Sequence, residues 1–451
     1  MAMKTTRIGG VRQADTSLWP IARRVGSVIA YAGVPASTLT TLPGVLTTVN
    51  VLTSFYLVAI FGVVGALRGA RVQPGLVTLS YFLVAWYVVL LAIELIHGGP
   101  FHYPFTRGAN FLTDYFPLVA LPFFAIGLRE AKAEFRVFEY VMMGTIVFSA
   151  GLSLYQFFIL DIQRPNGFSR NPIPFALVLT MWSLFLFSGA LKARKIDWTR
   201  FSIALIALIP IILSGSKNIW FCAAAGYSLL FFMWAWTGRR WSILGAVAVG
   251  IAPSVWLLLR VDVVRSRITE FMGDYGAFLA SGDTSGGSFG LRYGALVSGF
   301  LAFLDRPFLG YGLAQGKSAA IEHLPPSFSS IGMLTHLHNE YVTHLVAFGT
   351  LGLFFIVSFF AMFILIATRR EDVAIRRFGV VAGTLFLFYM TADVVFTLPE
   401  VYGLVFFLLG LMLLAPEKKQ QIEGAPGLMR RLRAALPLVG SAGGRSSVER
   451  L

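Results

Sequence analysis

The chain has 451 residues, a mean hydropathy of +0.73 and 56% hydrophobic residues, but only 13% charged residues. This composition excludes an ordinary soluble domain and is typical of a helical protein that crosses a membrane many times. The single cysteine, Cys222, excludes a disulfide framework within the chain. The net charge of +15 could suit nucleic acid, but most basic residues lie in short connections between apolar runs. We therefore read that charge as a topology signal and predict no nucleic-acid partner.

Twelve apolar runs come near the roughly 20 residues that a transmembrane helix needs. They cover residues 25–44, 49–67, 76–96, 111–128, 137–160, 173–190, 201–215, 218–236, 243–260, 339–366, 378–396 and 400–415. Pro35 interrupts the first run, and the runs at 201–215 and 400–415 are short for a full crossing. We predict an all-α, polytopic integral membrane protein of about twelve transmembrane helices, nine in residues 25–260 and three in residues 336–415.

Basic residues are concentrated in alternate connections between the predicted spans. One set of connections holds Arg129, Lys132 and Arg136 in one place and Arg369 and Arg370 in another. The N-terminal arm at 1–24 and the basic tail at 416–451 belong to the same set. The positive-inside rule therefore predicts that both termini lie in the cytoplasm.

Residues 261–335 form the largest outer connection, which is longer than ordinary loops and suggests a lid or a binding element. The apolar run at 293–304 within it is too short to cross a membrane as a helix. Arg292 and Arg306 bracket this run, as expected for a helix that lies in the membrane interface. We predict a large outer loop with one interfacial helix.

The outer face carries basic residues that topology does not require. They are Arg107, Arg164, Arg170, Lys217, Arg260, Arg265, Arg267, Arg292, Arg306 and Lys317. The six histidines also lie on this side, at positions 97, 102, 323, 336, 338 and 344. This chemistry suggests an anionic ligand such as phosphate, although each side chain could equally pair with a lipid headgroup.

The most polar stretch next to a predicted span covers residues 335–341 and contains His336, His338, Asn339 and Glu340. Ionisable groups at a membrane boundary are costly unless they face a cavity, so this stretch is a functional-site hypothesis. The spacing does not match a zinc motif, and we predict no bound metal.

Two further outer segments are candidates for the same site. Residues 164–172 include Arg164, Arg170 and Asn171, which could bind a sugar or phosphate or could cap and close a turn. Residues 213–218 form a polar break before the predicted span at 218–236. The start of that helix would present free backbone N–H groups to an anion.

Together these segments resemble the superfamily of O-antigen ligases and O-antigen polymerases, which are bacterial envelope glycosyltransferases. The resemblance rests on the loop at 164–172, on Ser214-Gly215-Ser216-Lys217, on Leu291-Arg292 with Arg306-Pro307-Phe308-Leu309-Gly310-Tyr311-Gly312, and on His338-Asn339-Glu340 with Gly349-Thr350-Leu351-Gly352. It implies a fold similar to that of the large helical membrane glycosyltransferases. It also implies an undecaprenyl-pyrophosphate-linked glycan donor, a glycan acceptor such as lipid A-core, membrane lipids as surroundings and no cofactor.

The resemblance also implies roles for individual residues. His338 would be the general base, Arg292 would hold the pyrophosphate, and Lys217 stands where the family usually has arginine. The remaining candidates for substrate binding are Arg164, Arg170, Asn171, Asn339, Glu340, His336 and Arg265. The expected place of reaction is the periplasmic face of the bacterial inner membrane.

Ligase is the function that we expect, and three alternatives stay open. A polymerase would join lipid-linked repeats to each other, and a protein O-oligosaccharyltransferase would modify a polypeptide. A polysaccharide transporter or flippase would be favoured by acidic residues within spans and by internal repeats. Glu94 and Asp393 lie in or near spans, but no internal repeat is evident.

Overall fold

The structure is a computed structural model, and it describes residues 18–36, 51–70, 74–98, 111–169, 171–192, 195–238, 240–242, 245, 259–281, 288–324 and 336–417. Within these ranges the regular elements are all α-helices, and no strand is present. They are α1 (Leu18–Ala36), α2 (Val51–Leu67), α3 (Pro74–Ile96), α4 (Phe111–Glu130), α5 (Phe135–Phe158), α6 (Pro172–Ala190), α7 (Trp198–Ile206), α8 (Leu208–Leu213), α9 (Lys217–Thr237), α10 (Asp262–Ser281), α11 (Ser288–Asp305), α12 (Leu313–Glu322), α13 (Glu340–Thr368), α14 (Val373–Tyr389) and α15 (Pro399–Leu414).

The all-α prediction is confirmed, and helices occupy most of the described residues of the predicted spans, although the span at 378–396 ends early, at Tyr389. Among the described residues, five helices are long and apolar enough to cross a membrane: Leu76–Ile96, Phe135–Phe158, Pro172–Ala190, Lys217–Thr237 and Glu340–Thr368. Three apolar helical stretches are shorter, at Leu52–Leu67, Trp198–Leu213 and Pro399–Leu414. Most of the predicted span at 243–260, most of the arm at 1–24 and nearly all of the tail at 416–451 lie outside the described residues. The chain is a multi-pass membrane protein, and the count of twelve spans stays a prediction.

Two helices, α6 and α15, form the centre of the bundle. Nearly every residue of each is buried, including polar Ser183 and Thr180 in α6. A helix that is apolar on all sides is expected at the core of a bundle rather than at its surface. Helices α2 and α4 approach so closely that a methyl group on Gly62 would lie 1.8 Å from the carbonyl oxygen of Phe123. This small-residue contact is typical of packed membrane helices.

The segment at 261–335 contains more helix than the single interfacial helix that we predicted. Helices α10, α11 and α12 occupy most of its described part, and α11 includes the apolar run at 293–304. Helices α11 and α12 pack against the first half of α13 around a small apolar core that includes Ala302, Tyr311, Leu337 and Val346. This outer segment is therefore fixed to α13, the helix that begins at Glu340.

Helix α13 is broken at Gly349, whose φ of +63° and ψ of −153° are non-helical. The turn at residues 306–312 fills the break. The N–H groups of Tyr311 and Gly312 donate to the free carbonyls of Val346 and Ala347 at 2.9 and 2.8 Å. A β-carbon on Gly349 would lie 2.3 Å from the backbone of Phe308. The glycine motifs at 310–312 and 349–352 therefore have a structural role: they allow the turn to bind the free carbonyls of α13. Backbone groups inside a membrane protein need such partners.

Candidate active site

The histidines of the polar stretch at 335–341 lie beside an acidic residue from another element. His338 Nδ1 is 3.5 Å from Asp393 Oδ1, and His336 Nδ1 is 4.0 Å from the same oxygen. The two imidazole rings are 4.1 Å apart between centroids. His338 has a φ of 50°, in the left-handed region that non-glycine residues seldom occupy. Such backbone strain is found preferentially at functional sites.

Asp393 reaches this position because helix α14 ends at Tyr389, earlier than the predicted span at 378–396. Residues 390–398 form a turn before Pro399 starts α15, and proline is favoured at that first helical position. Three successive carbonyls of the turn accept hydrogen bonds from neighbouring segments. The donors are the backbone N–H of Glu340 to Met390 (2.9 Å), the side chain of Asn339 to Thr391 (3.0 Å) and the side chain of Asn218 to Ala392 (3.3 Å).

Burial controls the protonation of His336. It lowers the pKa of His336 to about 4, and the adjacent His338 adds to this effect against the opposing influence of Asp393. A neutral His336 can accept a hydrogen bond through Nδ1, and the backbone N–H of His338 donates one at 3.3 Å. His336 therefore supports the unusual backbone of His338.

Four basic side chains from four segments meet on one side of the histidines. We call Arg164, Lys217, Arg267 and Arg292 the basic cluster. The Nε atoms of Arg267 and Arg164 lie 3.0 and 3.5 Å from the position that a β-carbon on Gly215 would occupy. The charge of Arg292 acts on Arg164, Lys217 and His336, so it links the cluster to the histidines. Burial, together with the charge of Arg267, lowers the pKa of Arg164.

Glu270 and Asp274 are acidic neighbours of the basic cluster, and the charges of both act on Lys217. Arg164 donates to the carbonyl of Ser214 at 3.0 Å, and Arg267 forms an ion pair with Glu270 at 2.6 Å. Lys217 Nζ lies over the ring of Phe271 at 5.3 Å. Within the described part of the chain, neither this Nζ nor the buried Nε of Arg292 has a hydrogen-bond partner. Unpaired cationic donors that converge on one place are suited to an anion.

The structure brings together five of the predicted site residues: Arg164, Lys217, Arg292, His336 and His338. Asn171 and Asn339 have structural contacts, because each side-chain oxygen caps a helix, α6 and α13 respectively. Arg170 lies outside the described residues.

Two of the predicted residues do not reach the site. Arg265 is exposed, and it lies two positions from Arg267 on α10. Residues two apart on a helix point to different faces, so Arg267 joins the cluster and Arg265 does not. Glu340 is fully buried, and its carboxylate is directed at His344 and at the backbone N–H groups of Val395 and Phe396 rather than at the basic cluster.

Asp393 and Arg267 are the residues that the sequence analysis did not assign to the site. Asp393 was noticed only as an acidic residue near a span, and Arg267 only as one of the outer basic residues. The signal for Asp393 was the polar run Thr391-Ala392-Asp393 inside an apolar stretch. The signal for Arg267 was its position on a helix one turn from Glu270.

The comparison with protein families agrees with this geometry. The family model for O-antigen ligase matches residues 202–357, about a third of the chain. The chain carries a domain of the O-antigen ligase superfamily. A search of curated proteins finds no significant match. The matched range includes His336, His338 and three members of the basic cluster, whereas Arg164 and Asp393 lie outside it.

The match to this family implies, in general terms, a membrane enzyme of the glycosyltransferase type. The family implies, again in general terms, a lipid-linked glycan and a glycan acceptor as substrates. The finer assignment of reaction and residues depends on the geometry.

A second histidine–carboxylate pair in the O-antigen ligase domain lies deeper in the protein. His344 Nδ1 is 2.9 Å from Glu340 Oε1, and His344 Nε2 is 2.7 Å from the hydroxyl of Tyr115. The other carboxylate oxygen of Glu340 accepts hydrogen bonds from the backbone N–H groups of Val395 and Phe396. This network joins α4 and α13 to the turn that carries Asp393.

His336, His338 and Asp393 are also the group in the described residues that could approach a metal ion, with donor atoms within 4.8 Å of one another. A structural zinc site uses four protein ligands, and a catalytic zinc site uses three. The three donors here also suit proton transfer, because a carboxylate beside an imidazole orients it and stabilises its charged form.

Proposed function

We propose that the chain is an O-antigen ligase that transfers a polysaccharide from undecaprenyl pyrophosphate to a sugar hydroxyl of lipid A-core. The reaction would take place on the periplasmic face of the bacterial inner membrane. The observation that carries the proposal is the juxtaposition of the His338–Asp393 pair with the basic cluster. The His338–Asp393 pair would provide a base for the acceptor hydroxyl, and the basic cluster would provide cations for the pyrophosphate.

His338 would act as the general base. With Nδ1–H directed at Asp393, the ring keeps a lone pair on Nε2, which has no protein partner among the described residues. Nε2 would take the proton of the acceptor hydroxyl as its oxygen attacks the anomeric carbon of the donor sugar. Asp393 would hold the tautomer and stabilise the imidazolium that forms. The distance of 3.5 Å is long for a hydrogen bond, so the two groups would have to approach each other as the proton is transferred.

The basic cluster would stabilise the leaving group. As the new glycosidic bond forms, the bond between the anomeric carbon and the phosphate oxygen breaks, and undecaprenyl pyrophosphate leaves with one more negative charge. Cationic donors placed where charge develops lower the barrier without a reorganisation of water. Lys217 supplies a mobile point charge, and the arginines supply planar forks that match phosphate oxygens. The reaction as written needs no metal and no energy source besides the donor.

The test of the proposed function is deletion of the gene followed by electrophoresis of lipopolysaccharide. A ligase predicts bare lipid A-core and an accumulation of long lipid-linked chains. Core capped with single repeats would assign the chain to the polymerases instead, and loss of glycan from polypeptides would assign it to the protein O-oligosaccharyltransferases. Purified protein in liposomes should remain active in EDTA, and loss of activity that zinc restores would contradict the metal-independent reaction.

A further inference from the structure

A cavity of about 670 Å³ lies at the other end of the bundle from the candidate active site. Helix α9 begins at Lys217 in the basic cluster and reaches the cavity with Thr237 at its end. Twenty residue steps at 1.5 Å separate these ends by about 30 Å. Helix α14 likewise begins at the cavity and ends near Asp393.

Basic side chains from four segments line this cavity: Lys192, Arg200, Arg240 and Arg377. Two of them have acidic partners. Lys192 pairs with Asp197 at 2.9 Å, and Arg200 pairs with Asp197 and with Glu139. Arg377 is the buried cation of the four whose contacts leave a side-chain donor unused.

Arg377 is 8% exposed and only partly satisfied. Its Nη2 donates to the carbonyl of Leu191 at 2.9 Å, at the end of α6. Its buried Nη1 has no hydrogen-bond partner in the part of the chain that the structure describes. The acidic residue nearest in sequence, Asp372, uses Oδ1 to cap α14 by accepting from the N–H groups of Ala374 and Ile375. A buried guanidinium N–H without an acceptor is costly, and a ligand in the cavity would remove that cost.

Arg240 is held beside the same space. Its guanidinium lies over the ring of Trp234 at 3.9 Å, and its charge opposes that of Arg377. Two guanidinium groups that repel each other across a cavity favour an anion between them, because both can bind oxygens of one phosphate group.

We propose that this cavity binds the phosphate of an anionic lipid headgroup. The apolar side chains of Phe135, Phe185 and Trp234 line the same space and would contact the glycerol and the first methylenes of the chains. Basic pockets between membrane helices on the cytoplasmic side commonly bind such headgroups, and the volume is within the range of small-molecule sites. The site is separate from the glycosyl transfer reaction, and its existence does not depend on that function.

The test uses the full-length chain in detergent and native mass spectrometry. The probes are dihexanoyl phosphatidylglycerol, dihexanoyl phosphatidylcholine and inorganic phosphate. The variants are Arg377→Gln, which keeps a donor for Leu191, and Arg240→Gln. The control is Arg68→Gln, since Arg68 lies over Trp19 at 4.1 Å in the same type of stacking but outside the cavity.

We expect wild type and Arg68→Gln to bind phosphatidylglycerol at least ten-fold more tightly than phosphatidylcholine. Arg377→Gln and Arg240→Gln should each weaken that binding at least ten-fold, and Arg240→Gln alone decides if Arg377→Gln fails to fold. Displacement of phosphatidylglycerol by inorganic phosphate at a similar concentration would support the anion site, but with a soluble phosphate as its ligand. Absence of such competition would support the lipid. Equal binding of the two lipids, or wild-type binding by Arg240→Gln, would overturn the proposal.

Discussion

Two histidine–carboxylate pairs lie near the start of α13, six residues apart, and they differ in what surrounds them. His344 and Glu340 are completely buried, 2.9 Å apart, and both ring nitrogens of His344 have protein partners. His338 and Asp393 are 3.5 Å apart, and the His338 side chain is 21% exposed. One pair is closed by the protein, whereas the other retains a ring nitrogen for a ligand.

This difference shows how two histidines in one short segment can have different roles, one structural and one suited to catalysis. A histidine with both nitrogens occupied by fixed partners cannot accept a proton without breaking a buried hydrogen bond. His338 has no such restriction, and its strained backbone is supported by His336. The closed pair holds the turn at residues 390–398 in place, and the open pair uses that turn to present Asp393.

The largest expected effect separates the two histidines. His338→Ala should lower the rate of transfer by about 10²–10⁴-fold, the usual contribution of a general base. Its thermal stability should fall less than that of His344→Ala, because the His338 side chain is 21% exposed whereas that of His344 is fully buried. The measurement is transfer of lipid-linked glycan to lipid A-core by purified protein in liposomes, together with a thermal melt of each variant.

His344→Ala is the matched variant, with the opposite pattern. It leaves Glu340 and the hydroxyl of Tyr115 without their buried partner, so it should lower the free energy of unfolding by about 3 kcal/mol. Full transfer activity of His338→Ala would remove the residue from catalysis and would favour transport as the function. A stable but inactive His344→Ala would show that the closed pair takes part in the chemistry.

The second effect concerns the cation next to the open pair. Lys217→Ala should lower kcat/KM by roughly 10²-fold, because it removes an unpaired charge from the pyrophosphate site. Lys217→Arg should keep most of the activity, since it retains the charge and adds a planar fork. The same transfer assay, with donor concentration varied, measures both variants. Equal activity of Ala and Arg at this position would exclude Lys217 from the site.

The third effect is on the dependence of stability on pH. The pKa of His336 is about 4 in the folded protein, against roughly 6.5 for an unperturbed histidine. Between these two values the unfolded chain binds more protons than the folded one, so stability falls as the pH is lowered through this window. From pH 7 to pH 5 the loss from this group is about 2 kcal/mol by linkage.

His336→Asn should be less sensitive to acid than wild type over this interval. Asparagine stays neutral and can still accept the hydrogen bond from the N–H of His338. Thermal melts of the two proteins at pH 7 and pH 5, in EDTA, measure this difference. The same acid sensitivity in both proteins would show that His336 is not buried as a neutral group.

Much of the fold could be predicted from the sequence because hydropathy and length decide which segments are membrane helices. The helix at 172–190 and the one at 217–237 end within a residue or so of the predicted spans. The histidine stretch and Lys217 could also be recognised as site candidates from the sequence, because charged groups at a membrane boundary are costly and are seldom there without a function.

The remaining features depend on tertiary structure. The span at 378–396 was predicted seven residues too long because Val394, Val395 and Phe396 are apolar, yet their N–H groups bond to Asp393 and Glu340 instead of continuing a helix. For the outer segment the sequence predicts a loop with one interfacial helix, because its helices are less apolar than the spans, and helices α11 and α12 bury apolar residues in a small core shared with α13.

The smallest effect tests the choice between Arg265 and Arg267, which helical geometry decides. Arg267 belongs to the basic cluster, lies beside Gly215 and forms an ion pair with Glu270. Arg265 is exposed on another face of α10. Arg267→Ala should lower kcat/KM roughly ten-fold, less than Lys217→Ala, because Glu270 already neutralises part of its charge. Arg265→Ala is the matched control, with the same charge change on the same helix, and should retain wild-type activity. A larger loss of activity in Arg265→Ala than in Arg267→Ala would contradict this prediction. It would mean that the face of α10 that carries Arg265 contacts the donor, and that Arg267 does not belong to the active site.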